Sequence, residues 1–133
     1  MFEKFNFSPK QVNKYFKVAV RNYKIASVSV IPEVIFMFSY QALIKLAITV
    51  CAKNNLRVKA RAGHHIELLN KLAQFINDKS VDSIGNKMRR KRNLDLYGDG
   101  IIMSEREAIE YRDWLKNIFV KTEVYLNVNL KLF

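Results

Sequence analysis

The chain has 133 residues, half of them hydrophobic, with nine Phe and six Tyr but only four Gly and two Pro. That length suits one domain with a buried core; the apolar content excludes a disordered chain, and the shortage of turn formers argues against a many-turned β architecture. The formal charge is +11, from 23 Lys plus Arg against 12 Asp plus Glu. It points towards polyanions, with nucleic acid ahead of an anionic membrane surface or an acidic protein, and charge alone does not choose among them.

Residues 1–6 lack the apolar run and small-residue cleavage site of a secretory signal. The single cysteine, Cys51, has no partner for an internal disulfide and lies in the apolar run 47–52, where it reads as a small buried hydrophobe. A reduced, cytoplasmic setting is therefore expected.

Ser8-Pro9-Lys10-Gln11 is a capping box with Pro at the first helical position. Val12, Phe16, Ala19, Tyr23 and Ala26 follow at helical spacing, with Lys14, Lys17, Arg21 and Lys24 largely off that stripe, so an amphipathic helix is predicted. Pro32 opens a second segment that is apolar on nearly every side over 34–52; Gln41, Lys45, Thr49 and Lys53 form its one thin polar stripe. The run is long enough to raise the question of a membrane span. A lysine at its centre and flanks of ordinary polarity predict a buried central helix instead, and no membrane. Asn54-Asn55 ends it, and 57–61 reads as a short basic loop.

Gly63 precedes a third helix with His65, Leu68, Leu69, Leu72 and Ile76 on one side, and 77–80 reads as a loop. A fourth helix is predicted from near Val81 to a left-handed cap at Gly98. After the turn Gly98-Asp99-Gly100, Ser104-Glu105-Arg106-Glu107 is a second capping box, opening a long helix with Ala108, Tyr111, Leu115, Ile118, Thr122 and Tyr125 inside. From 124 onwards Val124, Leu126, Val128, Leu130 and Leu132 alternate with polar or amphipathic residues, a strand period; a continuing helix and a partner-covered segment stay open. There is no internal repeat and no composition shift, so one all-α domain over 1–133 is expected, with the tail 124–133 unassigned.

Common catalytic signatures are missing: no phosphate-cradling glycine loop and no G-x-S-x-G elbow. His64 and His65 are neighbours about 100° apart on a helix, so they do not chelate one metal as an H-x-x-x-H pair would. Asp95, Asp99, Glu105 and Glu107 gather around a turn, where capping and helix-dipole roles account for two of them. Neither a metal nor another cofactor is expected.

The run Met88-Arg89-Arg90-Lys91-Arg92-Asn93-Leu94-Asp95-Leu96-Tyr97 is the unusual feature. On a helical projection Val81, Ile84, Met88 and Leu96 define its buried side, and Arg92 falls in that sector. An arginine there needs an anion: Asp95, a glutamate of the long helix, or a phosphate in a cleft. Asn93 and Tyr97 are i and i+4 on an adjacent face, and Arg89 lies between the two faces. Guanidinium, amide and phenol groups around one helix edge suit phosphate binding and base stacking.

Taken in order, Tyr40-Gln41-Ala42, the apolar helix, the basic loop, Gly63-His64-His65 and Arg89-Arg90-Lys91-Arg92-Asn93 through Tyr97 resemble the HEPN superfamily (higher eukaryotes and prokaryotes nucleotide-binding), over roughly residues 8 to 126. The resemblance implies an up-and-down four- to five-helix bundle that homodimerises, with the arginine motif of two copies sharing one cleft. Catalytic members are similar to metal-independent endoribonucleases, often toxins paired with a nucleotidyltransferase-type antitoxin, and carry Arg-Asn-x-x-x-His. Carried over, Arg92 and Asn93 match, and Tyr97 stands at the histidine position. A tyrosine with its ordinary pKa of about 10 is a poor general base at neutral pH. The resemblance thus implies a perturbed Tyr97, a proton transfer through His64 or His65, or RNA binding without cleavage. It also marks Tyr97 as a target for nucleotide modification by such a partner.

Catalytic candidates are therefore Arg92, Asn93 and Tyr97, with Arg89, Arg90, Lys91, His64 and His65 as nucleic-acid-binding candidates. The expected function is an RNA- or nucleotide-binding module, with metal-independent cleavage as its sharper form. The alternative is a non-catalytic accessory or protein-interaction module.

Overall fold

A computed structural model describes residues 2–60, 63–97 and 103–127, with the backbone alone at 95–97. Among these residues the order is β1 (Phe2–Lys4), α1 (Pro9–Val28), α2 (Pro32–Lys53), β2 (Leu56–Val58), α3 (His64–Phe75), α4 (Ser80–Tyr97) and α5 (Glu105–Leu126). The architecture is an all-α bundle with a two-stranded accessory.

The caps explain where the helices start. Ser8 Oγ accepts from Gln11 N at 3.2 Å and Ser8 N donates to Gln11 Oε1 at 2.9 Å, completing the predicted box. At α5 only half of the predicted box forms: Ser104 Oγ accepts from Glu107 N at 3.1 Å, while the Glu107 carboxylate turns to Lys91 Nζ at 2.8 Å. A full ammonium charge is the stronger partner for that carboxylate than a backbone amide. The fourth helix starts one residue earlier than expected, because Asp78 Oδ1 accepts from both Ser80 N (2.9 Å) and Ser80 Oγ (2.6 Å).

α2 is the central element, packed against α1, α3, α4 and α5. Phe36, Leu43, Leu46, Ala47 and Val50 on it are fully buried, as are Phe16 on α1, Leu69 and Leu72 on α3, and Leu115 and Phe119 on α5. By length and composition α2 is able to cross a membrane, but 67% of its apolar window is buried inside the bundle, as a core helix requires. Gly85 lets α4 approach this core: a Cβ there would stand 3.0 Å from Leu69 Cδ2 and 3.5 Å from Leu43 Cδ2.

One expectation is corrected. Part of the basic 57–61 segment is strand, with β2 pairing antiparallel to β1 so that Glu3 faces Arg57. Arg57 Nε donates to Glu3 Oε1 at 2.7 Å and its guanidinium lies 4.5 Å from the Phe5 ring centroid. A three-residue strand has too short a period to see, and its partner is more than fifty residues away in sequence. At the other end α5 runs through Val124 to Leu126 and stops at Asn127, which is left-handed at φ 54°; 128–133, the cap at Gly98 and the turn at Asp99 and Gly100 lie outside the described residues.

Candidate functional site

Gly63 caps α3 at φ +83°, a left-handed conformation; none of the described residues crowds a Cβ there, so the demand for glycine is a backbone one. The next two residues are the histidines, and α3 thereby delivers both rings to the flank of α2. His65 Nδ1 lies 2.7 Å from the Tyr40 hydroxyl, and the His64 and His65 rings meet edge to face with centroids 4.4 Å apart. Tyr40 is only 2% exposed, locked into α2.

α4 supplies the cations. Its buried line Val81, Gly85, Met88 continues to Arg92, which is half-buried with its guanidinium carbon 6.0 Å from the Tyr40 ring centroid. Arg89 Nε donates to Asn86 Oδ1 at 3.0 Å, and Asn86 Nδ2 in turn donates to Asp82 O at 2.7 Å. Among the described residues neither Arg92 nor Arg89 forms an ion pair with a carboxylate. Two half-buried guanidiniums on one helix edge are held by an aromatic face and an amide.

Their field registers on the titratable neighbours. Burial, then His64, Arg92 and Arg89, lowers the His65 pKa to about 4, so the ring is neutral at pH 7. With the ring proton on Nε2, the Tyr40 hydroxyl donates to Nδ1. Burial pushes the Tyr40 hydroxyl up to about 12, against the opposing pull of Arg92 and Arg89.

Of the predicted site residues, His64, His65, Arg89 and Arg92 thus come together around Tyr40. Lys91 faces the other way and is paired with Glu107, whose carboxylate raises its pKa. Arg90 is exposed and Asn93 half-buried. Tyr97 ends α4, and its side chain, like that of Asp95, lies outside the described residues. Tyr40 was missed as a site residue, although it opened the resemblance; a buried tyrosine on an apolar helix reads as core until its hydroxyl is seen to meet a histidine. Among the described residues no group of three or more His, Cys, Asp or Glu side chains comes together to hold a metal ion. Cys51 is buried, and burial pushes its thiol up to about 12, so it is not a nucleophile.

No family model, curated protein or solved structure gives a significant match to this chain.

Proposed function

We propose that the chain is a HEPN-like module that binds RNA or a nucleotide, with Arg89 and Arg92 holding a phosphate beside the Tyr40–His65 pair. The observation that carries this reading is the pair of half-buried guanidiniums without a carboxylate among the described residues. Structural arginines in such places are paired, because an uncompensated charge is costly. A phosphate supplies two acceptors for each planar fork.

Binding is favoured over cleavage. A neutral His65 with its pKa near 4 supplies no acid at pH 7, and Tyr40 at about 12 supplies no base. A second copy of the chain, set so that the Arg92-bearing helices face each other, would double the anion site; Leu94, 66% exposed on α4, provides apolar surface for that contact.

The test is a labelled single-stranded RNA incubated with purified protein without added metal, with binding and strand integrity both read. Binding is expected, weakening about twentyfold between ~50 and ~200 mM salt for roughly three neutralised phosphates. If Tyr97→His cuts the RNA at pH 7 where wild type leaves it whole, the cleft is a ribonuclease site with its proton-transfer group replaced. If neither variant binds RNA or nucleotide, the reading fails and an interaction module takes its place.

A further inference from the structure

A second feature of α4 is not used by the arginine cluster. Between α4 and α5 lies a cleft of about 440 Å³, lined by Ile84 and Lys87 on one side and Glu107, Glu110, Tyr111 and Trp114 on the other. That volume is in the range of small-molecule sites. The four α5 residues are i, i+3, i+4 and i+7, so one helix face carries two carboxylates, a phenol and an indole.

Three details say what fits. Trp114 Nε1 donates to Ser80 Oγ at 3.0 Å, which anchors the indole where it lines the cleft. Tyr111 is 7% exposed, and among the described residues its buried hydroxyl has no hydrogen-bond partner, a costly state. Glu107 is held by Lys91 at 2.8 Å, whereas among the described residues Glu110 has only the i, i+4 partner Arg106 at 3.3 Å, with both side chains mostly exposed. Pairs of that kind are weak, so Glu110 exchanges partners readily.

We propose that the α4–α5 cleft takes a guanine base, stacked on Trp114 with its Watson–Crick edge on Glu110 and Tyr111. Guanine is the base that presents two adjacent donors, N1–H and N2–H₂, to one carboxylate, with O6 beside them to accept from a hydroxyl. Adenine and cytosine offer a single amino group and uracil a single imide N–H. Stacking on indole then adds a contribution common to all bases. The inference rests on the nucleotide-binding reading and gives it a base preference. Lys87 lines the cleft four residues before Lys91, on the α4 face that turns away from Arg92.

Trp114 is the only tryptophan in the chain, and its fluorescence reports on the cleft directly. Titration of the full chain with guanosine, which has no phosphate, should quench it saturably, with uridine at least tenfold weaker and inorganic phosphate silent. Tyr111→Phe, which keeps the ring and its packing, and Glu110→Gln, at an exposed position, should each weaken guanosine at least tenfold with an unchanged circular dichroism spectrum. No saturable quenching, equal quenching by uridine, or both variants binding guanosine as wild type does would overturn the proposal. Salt-sensitive RNA binding alongside a silent Trp114 leaves the arginine site standing and removes the base site. Guanosine quenching without RNA binding does the reverse.

Discussion

The α1–α2 hairpin and α4 are built on opposite terms. In the hairpin the predicted inner residues Val12, Phe16, Ala19, Tyr23 and Ala26 are all buried against an apolar α2, and the lysines of α1 face solvent. In α4 the buried line Val81, Gly85, Met88 leads into Arg92, a half-buried cation with an aromatic ring for company. Apolar burial is non-directional and satisfied wherever the chain collapses. A guanidinium is directional and leaves a demand that only an anion meets. One region is therefore held by apolar burial, and in the other no carboxylate among the described residues answers the half-buried guanidinium.

The sharpest way to break this contrast is to measure stability on both sides of it. Phe36 is fully buried, with its ring edge-on to Tyr111 at 5.7 Å between centroids, and Phe36→Ala should cost about 3–5 kcal/mol in urea denaturation. Arg92→Ala should stay within about 0.5 kcal/mol of wild type, because the lost side-chain packing is offset by relief of repulsion from Arg89. A loss of ~3 kcal/mol for Arg92→Ala would mean that the arginine is a structural ion-pair member after all.

A smaller effect is expected where the two regions touch. Gly85→Leu places a branched side chain where Leu69 and Leu43 already stand within 3.0 and 3.5 Å of a Cβ, and overpacking there should cost about 1–3 kcal/mol. The same urea titration checks it, and a neutral result would show that α4 packs more loosely than the bundle requires.

The smallest effect is a pH dependence, and it sharpens the electrostatic side. His65 titrates near 4 in the folded chain, and near 6.5 when unfolded, so between those values the unfolded chain binds the extra proton. Stability should therefore fall as pH drops from about 6.5 towards 4 and be fully retained above that window. His65→Gln should flatten this part of the profile in thermal melts recorded across pH. A profile identical to wild type would show that neither burial nor the neighbouring cations lower the His65 pKa.

These expectations also divide what was legible in the sequence from what was not. Helical period, the Ser8 box and Pro32 locate α1 and α2 almost to the residue, since caps and apolar spacing are local signals. The strand 56–58 was not legible, because its partner lies at the other end of the α1–α2 hairpin. At the site, Arg92 stood out as a charge on an apolar stripe, and His65 as part of a glycine-led pair. That Tyr40 joins them, and that Lys91 belongs to Glu107 instead, depends on how α2, α3, α4 and α5 are arranged in space. The Trp114–Tyr111 cleft was equally invisible, since Tyr111 falls on what reads as the inner face of a long helix and the spacing marks nothing at Trp114.

The most direct test of the central claim separates site from net charge. Anisotropy of a labelled single-stranded RNA should be recorded at one fixed, low salt concentration for wild type, Arg92→Ala and Lys14→Ala, the last removing the same formal charge from an exposed position on α1. An anion site at Arg92 predicts a loss of more than tenfold for Arg92→Ala and threefold or less for Lys14→Ala. Equal losses from the two variants would contradict it, and would reduce the arginine cluster to one part of a diffuse basic surface.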